Sequence, residues 1–153
     1  MLRLSKYFTL DQLCHSDTAE KFNIPNVPTP TEIHNMTLLA GEILDYLYEW
    51  YAPSQLHINC CFRCKELNEK VGGSSTSEHL KGLAADLTIE GIEPIEILQA
   101  IKDVPLPVYQ VIAEKNAKGS EWLHVSYGGE GLQKDFLIAT DSDKDGKMEY
   151  KRV

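Results

Sequence analysis

With 153 residues the chain is long enough for one domain with a core of its own, and 42% apolar with 25% charged residues is a globular composition rather than a disordered one. The formal charge of -8 speaks against a general nucleic-acid binder, because no basic patch is concentrated enough to replace phosphate counterions. No apolar run is long enough to cross a membrane as a helix, so no membrane insertion is expected.

The N-terminus, Met1-Leu2-Arg3-Leu4-Ser5-Lys6, runs into polar sequence without the apolar core of a secretory signal, so a cytoplasmic chain is expected. Thr9-Leu10-Asp11-Gln12 has the capping-box form and predicts a short helix ending near Cys14, and Ser16 can cap a second one through Phe22. Pro25, Pro28 and Pro30 then break the chain into an extended connector, which reads as a packing strap. Thr29-Pro30-Thr31-Glu32 is the clearest helix start, with a capping box and proline in the first turn. Ile33, Met36, Ala40, Ile43, Leu44, Leu47 and Tyr51 follow at helical spacing, which predicts a long scaffold helix with one apolar face.

Leu56-His57-Ile58-Asn59-Cys60 alternates and predicts a strand that delivers Arg63 at its end. A short helix from Lys65 to Val71 should stop at Gly72-Gly73, with a serine-rich loop leading to Ser77. Leu87-Thr88-Ile89 reads as a strand opened by Asp86, and residues 94–101 as an amphipathic helix. Val108 to Ile112 should be a strand lying beside the one that carries His124. Phe136-Leu137-Ile138-Ala139 should form a last strand or edge segment. Strands and helices in mixed order, without a repeating βα unit, predict an α+β domain: a small, mainly antiparallel sheet with helices packed on one side.

Four cysteines, Cys14, Cys60, Cys61 and Cys64, make no obvious disulfide framework for a chain of this size and are expected as reduced thiols. Cys61-x-x-Cys64 invites a redox or metal reading, but only His57 is at hand to complete a second metal site. From Asp141 onward the sequence imitates the start of an EF-hand loop, yet Arg152 stands where a bidentate glutamate should close the cage. Residues 141–153 are therefore expected as a polar tail after a domain spanning 1–140.

The chemistry concentrates in Ser77-Glu78-His79-Leu80-Lys81-Gly82-Leu83-Ala84-Ala85-Asp86 and Glu121-Trp122-Leu123-His124. Two imidazoles and a carboxylate, His79, His124 and Asp86, suit zinc and leave a fourth position open for water, the pattern of a catalytic rather than a structural site. Trp122, His124 and Ser126 should share one face of a strand. Glu121 has the wrong parity for that face and is expected where the preceding loop enters the strand, free to swing toward the metal.

The pattern S-x-H-x-x-G-x-A-x-D followed by E-x-x-H resembles the zinc D-Ala-D-Ala carboxypeptidase and L-alanyl-D-glutamate endopeptidase family of peptidoglycan peptidases, an M15-like group with small phage-type and bacterial members. Ser5 to Leu10, Phe62 to Asn68, Val71-Gly72-Gly73 and Val125-Ser126-Tyr127 extend the resemblance over roughly residues 5 to 140. It implies a Hedgehog/DD-peptidase-like fold, with zinc on His79, Asp86 and His124, Glu121 as general base, and Arg63 meeting the substrate carbonyl or carboxylate. Ser77 and Trp122 fall at substrate-binding positions. One departure is Cys60-Cys61-Phe62-Arg63-Cys64, where the family usually has Ser-Gly-Tyr-Arg-Ser.

The implied function is hydrolysis of a peptide bond in a peptidoglycan stem peptide by a monomer, with access to the wall after release or by non-classical export. Nonspecific adhesion to anionic wall polymers is not expected at this charge, so recognition should reside in the cleft. A non-catalytic zinc-containing module of the same fold, binding wall peptide or protein, is the alternative.

Overall fold

The computed structural model of the protein describes residues 1–129, 133–141 and 143–153. The scaffold helix starts where its sequence signal lies. α3 (Pro30–Leu39) has proline in its first turn, and the Glu32 carboxylate accepts from the Thr29 backbone N–H at 2.6 Å, closing the capping box. A π-helical turn, Ala40–Leu44, then carries the chain into α4 (Asp45–Tyr51). Just before that turn the Thr37 hydroxyl donates to the Ile33 carbonyl at 2.9 Å, competing for an acceptor of the helix itself. Across the turn Met36, Leu39, Ala40, Ile43, Leu44 and Leu47 all stay fully buried, each large side chain contributing about 1.5–3 kcal/mol.

The N-terminal arm is a strap, as its prolines suggest. α1 (Leu10–Cys14) carries the Thr9–Gln12 capping box and α2 (Asp17–Lys21) is capped by Ser16. The Ser5 hydroxyl donates to Asp45 at 2.8 Å, tying the arm to α4. The Asn26 side chain ties the connector to the other end of the site: its amide donates to the carbonyls of Cys14 and Phe62 at 2.9 and 3.0 Å, and its oxygen accepts from the Cys64 N–H at 2.7 Å.

Six strands form one sheet: β1 (Leu56–Cys60), β2 (Ala84–Ile89), β3 (Val108–Lys115), β4 (Glu121–Tyr127), β5 (Asp135–Thr140) and β6 (Glu149–Arg152), in the order β1-β2-β4-β3-β5-β6. All neighbours are antiparallel except β3 and β5. The α+β architecture with a mainly antiparallel sheet is therefore the observed one. One face of the sheet supplies Leu87, Val111, Leu123 and Val125 to a core shared with α3, α4 and Ile97, Leu98 and Ile101 of α6 (Pro94–Lys102). α5 (Lys65–Lys70) packs Leu67 against Ala19 and Ile24 of the arm in a small satellite cluster. The second face of the sheet carries the polar groups of the groove beside a small apolar cluster of Ile112, Leu137 and Ala139.

The expected polar tail contains a strand. All four residues of β6 are exposed, so no apolar alternation announces it; it is held by backbone pairing with β5 and by an Arg152–Asp135 ion pair at 2.9 Å. The acidic loop serves as the turn into it. The Asp141 carboxylate accepts from the N–H groups of Asp145 and Gly146, both at 3.1 Å, and Gly146 takes the left-handed conformation at φ +82°. No helix among the described residues is long and apolar enough to cross a membrane.

Candidate active site

The sheet register builds a row of side chains. Cys60 of β1 lies opposite Asp86 of β2, Asp86 opposite His124 of β4, and His124 opposite Ile112 of β3. Residues paired across antiparallel strands project from the same face, so Asp86 and His124 meet by register alone. His124 Nδ1 stands 2.9 Å from Asp86 Oδ1.

His79 arrives from outside the sheet, on a single 3₁₀ turn, Glu78–Lys81. The Ser77 hydroxyl caps that turn by accepting from the His79 N–H at 3.3 Å. Gly82 ends it in the left-handed region, at φ +69°, with its Cα so close to α3 that a Cβ would stand 2.8 Å from the Glu32 carbonyl oxygen. This junction pushes His79 into the protein, where only 2% of it is exposed. The ring is oriented by the Cys61 carbonyl, which accepts from Nδ1 at 2.7 Å. Nε2 is thereby the ring nitrogen that faces Asp86 Oδ2, 3.3 Å away, and the one that a metal would meet once its proton is gone. The two imidazoles stand edge to face, with centroids 5.2 Å apart.

His79 Nε2 and His124 Nδ1 each stand beside one oxygen of the Asp86 carboxylate, and donor atoms within 4.8 Å of one another form two groups that share Asp86, Cys60–His79–Asp86 and Asp86–Glu114–His124, either of which could hold a divalent ion. Two details of the site favour such an ion. A backbone carbonyl fixes the His79 tautomer, as is usual for a ligating imidazole, and both oxygens of one carboxylate are aimed at ring nitrogens. With protons alone to share, the charges are strongly coupled. Burial pulls the His79 imidazole down, but the Asp86 carboxylate and the Cys60 thiol more than reverse this and push it up to about 10. Burial would raise Asp86, yet His79 and His124 hold it well below the usual carboxylate range.

Glu121 is not part of this cluster. It opens β4 opposite Lys115, pairs with that ammonium at 2.9 Å and borders small cavities beside Glu93 and Pro94 at the start of α6. Strand parity is the reason: Glu121 alternates with Trp122 and His124, and β4 is regular from its first residue, so the loop gives it no freedom to swing across. The expectation that it reaches the metal is corrected accordingly.

A different carboxylate stands there. Glu114 of β3 lies two positions from Ile112, on the same face, and opposite Trp122. One oxygen of Glu114, one of Asp86 and one nitrogen of His124 all lie within 4.8 Å of one another. Burial, and then the negative charge of Asp86, push the Glu114 carboxyl up to about 7, against the opposing pull of His79, Trp122 and Arg63. The sequence signal was available but indirect: the strand had to be read past Ile112 to Lys115 and the hairpin pairing to β4 inferred.

Arg63, Ser77 and Trp122 line the same groove, a cavity of about 790 Å³ that also contains His79, Asp86, Glu114 and His124. Arg63 is braced by its own backbone N–H donating to the His79 carbonyl at 3.1 Å and by Nη2 donating to the Ser77 hydroxyl at 3.2 Å. Its Nε is buried with no hydrogen-bond partner among the described residues, leaving a donor for an incoming acceptor. All four cysteines are unbridged. Cys60, the departure in this segment, puts its sulfur 3.9 Å from His79 Nδ1, on the flank of the cluster.

The family model described as Peptidase M15 matches residues 6–126. The chain belongs to the peptidase M15 family. The M15 match takes in the arm, the scaffold helix, Arg63 and the whole three-donor cluster, and stops just past His124. β5 and β6 of this M15 chain lie beyond the matched residues. No curated protein matches the chain.

Proposed function

We propose that this M15 chain is a zinc-dependent peptidase that hydrolyses a peptide bond in peptidoglycan stem peptides, of the D-Ala-D-Ala carboxypeptidase or L-Ala-D-Glu endopeptidase type. The observation that carries the reading is the Asp86 carboxylate set between His79 Nε2 and His124 Nδ1 in an open groove, with a further carboxylate, Glu114, beside it. Zinc held by those three donors would supply Lewis acidity and make a water acidic enough to lose its proton near neutrality.

The chain's own groups do the rest. Glu114, poised near neutrality by its burial, takes the proton from the attacking water on a carboxylate oxygen and returns it to the leaving amine. Trp122 stands opposite that carboxylate across the β3–β4 pair and walls the same groove. Arg63 offers its unpartnered Nε–H to the substrate carbonyl or carboxylate, and Ser77 keeps the guanidinium aimed into the groove. The Cys61 carbonyl holds His79 in the tautomer that leaves Nε2 free.

Release of free amine from purified peptidoglycan, abolished by a chelator and restored by zinc, tests the reading. His79→Ala should lose both the bound metal and the activity. A zinc-loaded protein that binds stem peptide but never releases amine would instead establish the non-catalytic binding module.

A further inference from the structure

The groove does not end at the metal donors. Running across the strands from Arg63, which follows β1, it passes the His79–Asp86–His124 cluster on β2 and β4 and Glu114 on β3, and reaches Met148 and Tyr150 on the C-terminal hairpin. β6 is the outermost strand on that side. Register accounts for the reach: Glu114 lies opposite Ala139 of β5, and Ala139 opposite Tyr150 of β6, so the tyrosine stands in the same cross-strand row as the carboxylate.

The two ends differ in chemistry. The Arg63 end also carries Glu78 and Lys81, whereas the other end is lined by Met148, which packs over the buried cluster of Ile112, Leu137 and Ala139, and by the ring of Tyr150. Glu149 and Lys151 have the opposite parity in β6, and Arg152, which shares the parity of Tyr150, is paired with Asp135 at 2.9 Å; none of the three lines the groove. Tyr150 is 59% exposed, a large ring left at the lip of a cavity with much of its surface still to be covered.

We propose that Met148 and Tyr150 form a substrate wall, holding an uncharged aliphatic portion of the stem peptide on the side of the metal donors away from Arg63. The proposal rests on the peptidase reading for its choice of ligand, and on the continuity of this wall with the groove for its place. The hairpin that supplies it lies beyond the residues matched by the family model.

The test is binding of the synthetic pentapeptide L-Ala-γ-D-Glu-L-Lys-D-Ala-D-Ala to zinc-loaded Glu114→Gln protein by calorimetry, with and without Tyr150→Ala, Tyr150→Phe or Met148→Ala. Tyr150→Ala is expected to weaken Kd tenfold or more and Met148→Ala severalfold. Tyr150→Phe, which keeps the ring, should stay within twofold. Zinc stoichiometry is expected to match that of the parent in every variant, and Tm in the two Tyr150 variants, which separates a lost contact from a lost fold. A Kd within twofold of the parent for Tyr150→Ala overturns the wall. Tight binding that depends on Tyr150, in a protein whose unmutated form never cuts peptidoglycan, would overturn the peptidase reading and leave the wall standing. A parent that binds no stem peptide overturns both.

Discussion

Replacing Glu114 with glutamine separates the two things its carboxylate does. As a general base it contributes a factor of about 10²–10⁴ to turnover, so Glu114→Gln should lose at least that much while zinc stays stoichiometric. As a buried charge it has a cost. In the metal-free protein its pKa rises from 4.5 to about 7, so its contribution to stability is fully present below about 4.5 and is lost as pH rises through 7. Above pH 7 the folded state carries an ionised carboxylate near Asp86. At 1.36 kcal/mol per pKa unit this is at most ~3 kcal/mol, and about 1–2 after discounting for the part of the side chain that meets solvent. Metal-free Glu114→Gln should therefore melt roughly 3–6 °C above the parent at pH 8, and level with it near pH 4. Thermal unfolding of both proteins at the two pH values, beside turnover of the zinc-loaded forms, is the assay. A variant that keeps its turnover, or one no more stable at pH 8, would refute the reasoning.

Glu121→Gln removes only an exposed ion pair with Lys115, so Tm should stay close to that of the parent and turnover should change by less than about threefold; a hundredfold loss of turnover would return the base role to it. Because His79 is pushed up to about 10 without metal, it is protonated at pH 7.5, and zinc uptake should expel about one proton, read as a dependence of calorimetric binding enthalpy on the ionisation enthalpy of the buffer. Gly82→Ala places a Cβ 2.8 Å from the Glu32 carbonyl at φ +69°, and should cost about 1–3 kcal/mol and weaken zinc binding by displacing His79; unchanged Tm and zinc affinity would remove the junction from the argument.

Much of this fold could be read from local chemistry. Caps at Thr9, Ser16 and Thr29 and the apolar stripe of the scaffold helix are decided within a few residues, and so are visible in sequence. Asp86 and His124 follow from strand parity plus one register, and His79 from its place before Gly82. What escaped is non-local. Glu114 enters the site only because the β3–β4 hairpin pairs it with Trp122, and Glu121 leaves it for the same reason. β6 buries none of its four residues, so the pattern that reveals strands is absent, and only the pairing with β5 makes it one. The π-helical turn is likewise silent, because apolar spacing at residues 36–47 fits a regular helix almost as well.

The three hydrogen bonds of Asn26 bear on how far this chain can be cut back. They clamp the backbone on both sides of Arg63 to a connector that a glance at the topology would discard as a leader. Trimming the protein back to its scaffold helix would keep His79, Asp86 and His124 but remove the contacts that hold the backbone around Arg63, so the arm belongs to the support of the groove.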